Sequence, residues 1–78
     1  MSKFNLISID LAKNVFQVGK FFHQKLQSNK AVSRKELLTI LTTSPRCKVV
    51  MESCGGAHYW ACKARSAGHE VVILDPRF

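Results

Sequence analysis

Lys48–Trp60 reads KVVMESCGGAHYW, and the reading of this stretch decides the fold. Three apolar residues, Val49, Val50 and Met51, run directly into an acid, Glu52. A short polar step and two glycines follow, and then a segment with helical spacing begins. An apolar run that ends in an acid at a strand-to-helix corner is how an α/β fold presents a carboxylate at its sheet edge. A second such run, Phe4–Asp10 (FNLISID), lies near the start of the chain and also ends in an acid. Two strands that each deliver an acid at the C-terminal end point to a metal site shared between neighbours.

Upstream of this stretch, Leu6–Ile9 reads as a buried strand ended by Asp10, and Leu11-Ala12-Lys13-Asn14 as a tight connection. Val15–Phe22 (VFQVGKFF) is a second strand, in which Gly19 marks a bulge. His23-Gln24 is the reversal, although it lacks the Asn-Gly or Asp-Gly signature of a tight hairpin. Lys25–Ala31 (KLQSNKA) is then a polar third strand whose lysines suit a solvent-facing edge. Ser33-Arg34-Lys35-Glu36 is an S-x-x-E capping box, Leu37, Ile40 and Leu41 give the helix one apolar face, and Pro45 closes it.

Cys47–Met51 is apolar on nearly consecutive positions, which predicts a central parallel strand covered on both faces. Gly55-Gly56 opens a second helix with Ala57, Trp60, Ala61, Ala64 and Ala67 on one stripe, and Gly68 is placed for a left-handed cap. Glu70–Leu74 (EVVIL) is the last strand, ended by Asp75-Pro76. The predicted fold is α/β with a mixed sheet in the order β-β-β-α-β-α-β. Right-handed crossovers then place the first and fourth strands side by side and parallel.

In that arrangement Asp10 and Glu52 are neighbours. Two ionised carboxylates at close range repel unless a cation sits between them. Hard oxygen ligands favour Mg²⁺ or Mn²⁺, and two such ions can hold the attacking and leaving oxygens of a phosphoryl transfer. A basic chain with acids at the sheet edge fits a nuclease-type site better than a glycosidase. The plainer reading is that strand-end acids are caps or turn formers.

Composition bounds the rest. Seventy-eight residues make at most one small domain, and a chain of this size buries only roughly 60% of its unfolded surface. No apolar run approaches the roughly 20 residues that span a bilayer, and the first residues lack a signal-peptide pattern. The chain is therefore expected to be soluble and cytoplasmic, with no membrane partner. A net charge of +7 and a pI near 9.8 suit a polyanion such as nucleic acid, or else a fragment whose balancing acids lie elsewhere. Cys47, Cys54 and Cys62 are an odd number without CxxC spacing, so reduced thiols are expected.

Ile9–Val18 (IDLAKNVFQV), Val50–Trp60 (VMESCGGAHYW) and Ala67–Phe78 (AGHEVVILDPRF) closely resemble the start of the DEDD-type insertion-sequence transposases. These are bacterial serine recombinases with a RuvC-like N-terminal domain, relatives of the Piv invertase, that use a bridge RNA to pair donor and target DNA. The ID-x-AK-x-x-F and ME-x-CG-x-x-x-x-W patterns carry the resemblance, which covers nearly the whole chain; Gly19–Val32 matches least.

The resemblance implies an RNase H-like (RuvC-like) fold, with residues 1–78 forming part of that N-terminal domain, truncated before its C-terminal helix. It implies that Asp10 and Glu52 are the first two of four metal-binding catalytic acids, serving Mg²⁺ or Mn²⁺ in the full-length protein. The other two acids would lie downstream, Asp75 is not one of them, and the nucleophilic serine belongs to a separate domain, which excludes Ser8 and Ser53. The implied activity is transposition by DNA strand cleavage and rejoining. The implied partners are DNA and a structured guide RNA in a homo-oligomer at the bacterial nucleoid. The 78-residue chain alone is expected to be inactive.

Other residues have weaker readings. Lys13, Lys63, Arg65 and Arg77 are candidate nucleic-acid contacts, with Arg34 and Lys35 as further basic positions, although each also reads as a solvated surface charge. Cys54, His58 and Cys62 fall at i, i+4 and i+8, a conceivable Zn²⁺ flank, and His58 also resembles a family position beside the acids. Trp60 and the phenylalanines read as core. Two rival classes remain: a non-catalytic module that binds nucleic acid or assembles with a relative, and a sugar-kinase-like enzyme. The second wants a glycine-rich phosphate loop after the first strand, and Leu11–Asn14 contains no glycine.

Overall fold

The computed structural model describes residues 5–11, 15–52 and 56–74. Five strands and two helices follow in the order β1 (Leu6–Leu11), β2 (Phe16–Phe22), β3 (Lys25–Val32), α1 (Arg34–Thr43), β4 (Lys48–Glu52), α2 (Ala57–Ser66) and β5 (Glu70–Leu74). They build one mixed sheet with the strand order β3-β2-β1-β4-β5. The first three strands form an antiparallel meander, and β4 lies parallel to both β1 and β5. The chain is therefore an α/β fold with a mixed five-stranded sheet.

The meander turns at His23 and Gln24, which take φ values of 50° and 68°. Both central residues of the reversal are in the left-handed region, the conformation that Asn-Gly adopts with least strain. The bulge falls between Lys20 and Phe21 in the β2–β3 pairing, not at Gly19. Gly19 is regularly paired, with Ser8 on one side and Asn29 on the other. Its lack of a side chain has a different cause: a Cβ there would stand 2.8 Å from Ser8 Oγ.

Both helix ends follow their local chemistry. At α1 the Glu36 amide donates to Ser33 Oγ at 3.2 Å, and the Ser33 amide donates to Glu36 Oε1 at 2.9 Å. Hydrogen bonding from Ser33, its backbone amide first and its side chain second, holds the Glu36 carboxyl below its ordinary range. At the end of α2, Gly68 takes φ 96°, its amide donates to the Arg65 carbonyl at 2.9 Å, and the His69 amide donates to the Ala64 carbonyl at 3.0 Å. This is the paired-bond termination that a glycine after the last turn permits.

Both helices pack on one face of the sheet. Leu37 and Leu41 of α1 and Ala57, Trp60, Ala61 and Ala64 of α2 share a core with Ile7, Ile9, Phe16, Val18, Val49 and Met51 from the strands. Trp60 is the largest of these fillers and meets the Phe16 ring edge-on at 5.3 Å. The expectation that β4 is covered on both faces does not hold. Val49 and Met51 are buried, whereas Lys48 and Glu52 are exposed and Val50 is half-buried. Alternate residues of a strand point to opposite faces, and no described helix covers the second one. Among the described residues no helix is long and apolar enough to cross a membrane.

Candidate functional site

The sheet register brings the two acids together. The parallel pairing of β1 with β4 runs from Leu6↔Lys48 to Ile9↔Met51, so Asp10 and Glu52 are the next residue on each strand. β1 does not end at Asp10. Its antiparallel pairing with β2 continues through Asp10↔Gln17 and Leu11↔Phe16, although the pairing with β4 has stopped. Asp10 is thereby held from one side by a regular ladder and faces β4 from the other.

Alternation puts both carboxylates on the helix-free face, and both are exposed. They line one cavity of about 340 Å³ together with Ser8, Gln17, Val50 and Leu74. Its β2 wall is set by Gly19, where any side chain would press on Ser8, and by Gln17, which donates from Nε2 to Asn29 Oδ1 at 2.7 Å. A second hollow on the same face runs towards the hairpin, between Leu6, Ser8, Phe21, His23 and Lys48. Among the described residues no ion pair neutralises Asp10 or Glu52, and no group of three or more His, Cys, Asp or Glu side chains gathers to hold a metal. The local donor set is two carboxylates, hard oxygen ligands of the kind Mg²⁺ and Mn²⁺ prefer.

The candidate basic residues are dispersed. Lys63 lies on α2 with its Nζ 5.4 Å from the centre of the Tyr59 ring. Arg65 is exposed in the last turn of α2, where a cation complements the carbonyl end of the helix dipole. The length of a ten-residue helix, about 15 Å, separates that turn from the acid-bearing edge. Lys13 and Arg77 lie outside the described residues, as do Ser53, Cys54 and Asp75. Of the Zn²⁺ flank, His58 Nε2 and Cys62 Sγ stand 3.8 Å apart on the exposed side of α2.

Two arrangements were missed in the sequence. The first is His69, buried between the helix layer and the sheet. Its Nδ1 accepts from the Cys47 amide at 3.2 Å, which leaves Nε2 to donate to the Leu41 carbonyl at 2.7 Å. One imidazole thus ties the end of α1 to the start of β4 and the start of β5. Beside it, burial pushes the Cys47 thiol up from its ordinary range. The second is an aromatic and basic cluster, in which the Arg34 guanidinium lies 4.8 Å from the Tyr59 ring centre and 5.3 Å from that of Trp60. The i, i+4 spacing of Tyr59 and Lys63 signals part of that cluster; the approach of Arg34 from another helix has no local signal.

With this geometry in place, the comparisons with known proteins are informative. A Pseudomonas aeruginosa protein named "Probable family 20 transposase" is 41% identical over 73 residues, 92% of this chain and 22% of the relative. The transposase for insertion sequence element IS1328 of Yersinia enterocolitica is 40% identical over 79 residues, covering 100% of this chain and 24% of the relative. The transposase for insertion sequence element IS1111A of Coxiella burnetii is 28% identical over 78 residues, 99% of this chain and 21% of the relative. No protein-family model matches the chain, and no solved structure does. The chain spans less than a quarter of the length of these relatives. Over nearly its whole length, then, this chain is similar to a part of the transposases of bacterial insertion sequences.

Proposed function

We propose that this chain is the acid-bearing part of an RNase H-like, RuvC-like transposase domain, acting on DNA through Asp10 and Glu52. One observation carries the reading: the two acids follow the last paired positions, Ile9 and Met51, of neighbouring parallel strands, on the face that no described helix covers, and line one cavity. The similarity to insertion-sequence transposases supports DNA as the partner. The net charge of +7 favours a polyanion of that kind.

Asp10 and Glu52 would hold Mg²⁺ or Mn²⁺, and neither carboxylate is engaged by a cationic side chain among the described residues. A bound ion of this type supplies electrostatic stabilisation of phosphate oxygens and a more acidic water. The chain's own contribution is to fix the two carboxylates by the β1 and β4 ladders and to leave the face above them open. Two carboxylates are a sparse ligand set for a hard cation that takes six oxygens. The chain by itself is therefore expected to bind the ion weakly and to leave DNA uncut; a guide RNA and a homo-oligomer are proposed only for the full-length protein. A module that binds nucleic acid without cleaving it is the second reading, favoured by the same short ligand set.

The test is Mn²⁺ titration followed by paramagnetic broadening of backbone amides. Broadening centred on the ends of β1 and β4, and lost in Asp10→Asn and Glu52→Gln, is the expected result. Broadening elsewhere, or unchanged in both variants, refutes the metal reading. Cleavage of branched DNA by the chain that vanishes in Asp10→Ala would refute its inactivity.

A further inference from the structure

Arg34, Tyr59 and Lys63 form a cluster that the acid site does not use. α1 begins two residues after Val32, which pairs with Phe16, and Phe16 pairs with Leu11. Arg34 is thus delivered to the same sheet edge as Asp10. Gly56, four positions after Glu52, caps α2, so the first turn of that helix stands at this edge too. The acids present themselves on the open face, and the cluster sits on the helix layer beside it.

The cluster is a built arrangement. Trp60 is 2% exposed and anchored edge-on against Phe16, and the Tyr59 ring stands perpendicular to it at 5.2 Å. Tyr59 itself is 42% exposed, so it is a platform fixed to the core and open to solvent. Both cations rest against this platform. Among the described residues neither Arg34 nor Lys63 has a carboxylate partner. Glu36, the acid on α1, is committed to the Ser33 amide, and the first turn of α2 holds no acid. A guanidinium held by rings keeps its planar fork of donors for a bidentate anion, and an ammonium beside it adds a point charge.

We infer that Arg34 and Lys63, braced across Tyr59, form a phosphate clamp for the backbone of a nucleic-acid strand. The proposed function enters only in choosing which polyanion occupies the clamp. Phosphodiesters of DNA and RNA share the chemistry the clamp reads, and the orientation of the Arg34 fork, not a base-specific contact, does the work. Tyr59 is a positioning residue: it carries the two cations and leaves recognition to them.

The test is fluorescence anisotropy of the 78-residue chain with single-stranded DNA, duplex DNA and single-stranded RNA of one length, in EDTA, across a salt series. Arg34→Gln and Lys63→Gln are expected to weaken binding several-fold. Each should flatten the log K against log salt slope by about 0.7 per lost phosphate contact on a single strand and about 0.9 on duplex DNA. Tyr59→Ala should reproduce the loss and Tyr59→Phe should not, since the ring is what holds the cations. Equal losses on DNA and RNA assign the clamp to the shared backbone; a loss on one alone assigns it to that strand.

Wild-type affinity and slope in both Gln variants would overturn the clamp. So would the absence of binding by the wild-type chain, or displacement by polyglutamate as efficient as by unlabelled DNA. If Tyr59→Ala unfolds by circular dichroism, the exposed Arg34→Gln and Lys63→Gln substitutions carry the test. Because EDTA removes metal from the assay, failure of the clamp and failure of the Asp10–Glu52 metal site are read out separately.

Discussion

The two faces of the sheet have opposite designs. The helix face is closed: Ile7, Ile9, Val49 and Met51 meet Leu37, Leu41, Trp60 and small alanines, and its buried polar side chain, His69, has both ring nitrogens occupied. The other face carries Ser8, Asp10, Lys48, Val50 and Glu52 from the same two strands, and is hollowed twice. β1 and β4 alternate between these environments residue by residue. A strand that supports a core through its odd-numbered members can therefore offer chemistry through the even-numbered ones, without a loop to carry it.

The largest expected break in this comparison comes from the closed face. Trp60→Ala should lower the unfolding free energy by about 3–5 kcal/mol, most of the reserve of a domain this small. Asp10→Asn and Glu52→Gln, on the open face, should stay within about 0.5 kcal/mol of the parent. Urea denaturation of the three variants checks the contrast. An acid variant that destabilises as much as Trp60→Ala would mean that the open face is structural.

Next in size is His69→Ala. It leaves the Cys47 amide and the Leu41 carbonyl without partners in a dry layer, and should cost about 2–4 kcal/mol. Hydrogen exchange should show the Cys47 amide losing protection first. Retained protection there would mean that water replaces the imidazole. At the hairpin the sign reverses. His23→Asn combined with Gln24→Gly should stabilise the chain by about 1 kcal/mol, because both positions occupy the left-handed region that ordinary side chains resist. No gain in thermal midpoint would show that the present side chains offset the strain.

The smallest effect is a pH dependence at the capping box. The folded-state pKa of Glu36 lies below its ordinary value of 4.5. Its contribution is therefore fully present above about pH 4.5 and is lost as pH falls through the lower, folded value. Glu36→Gln keeps a capping side chain but cannot titrate, so the acid limb of the stability curve should become shallower in that variant. An unchanged acid limb would place the titration in other carboxylates.

Legibility in the sequence tracked the distance over which each feature is encoded. The capping box of α1, the Gly68 termination of α2 and the position of Glu52 at the end of β4 were each legible within four or five residues, whereas the expected end of β1 at Asp10 was one residue short, because the β2 ladder carries the strand on to Leu11. The one-sided cover of β4 was not. Val49, Val50 and Met51 look alike in the chain, and only the placement of α1 and α2 on one face buries the first and third while leaving the second half-exposed. Gly19 was legible as unusual, but its cause, the approach of Ser8 across the ladder, is a register effect.

The sequence by itself determined the local conformations, the order of the elements and the two acids. These follow from hydrophobic period, turn chemistry and capping, all short-range. Tertiary structure alone decided that His69 would bind two elements at once, and that Arg34, 25 positions before Tyr59, would lie over its ring. Both depend on contacts between residues far apart in the chain. Such contacts arise only after the sheet has set the spacing of the helices, and no periodicity records them.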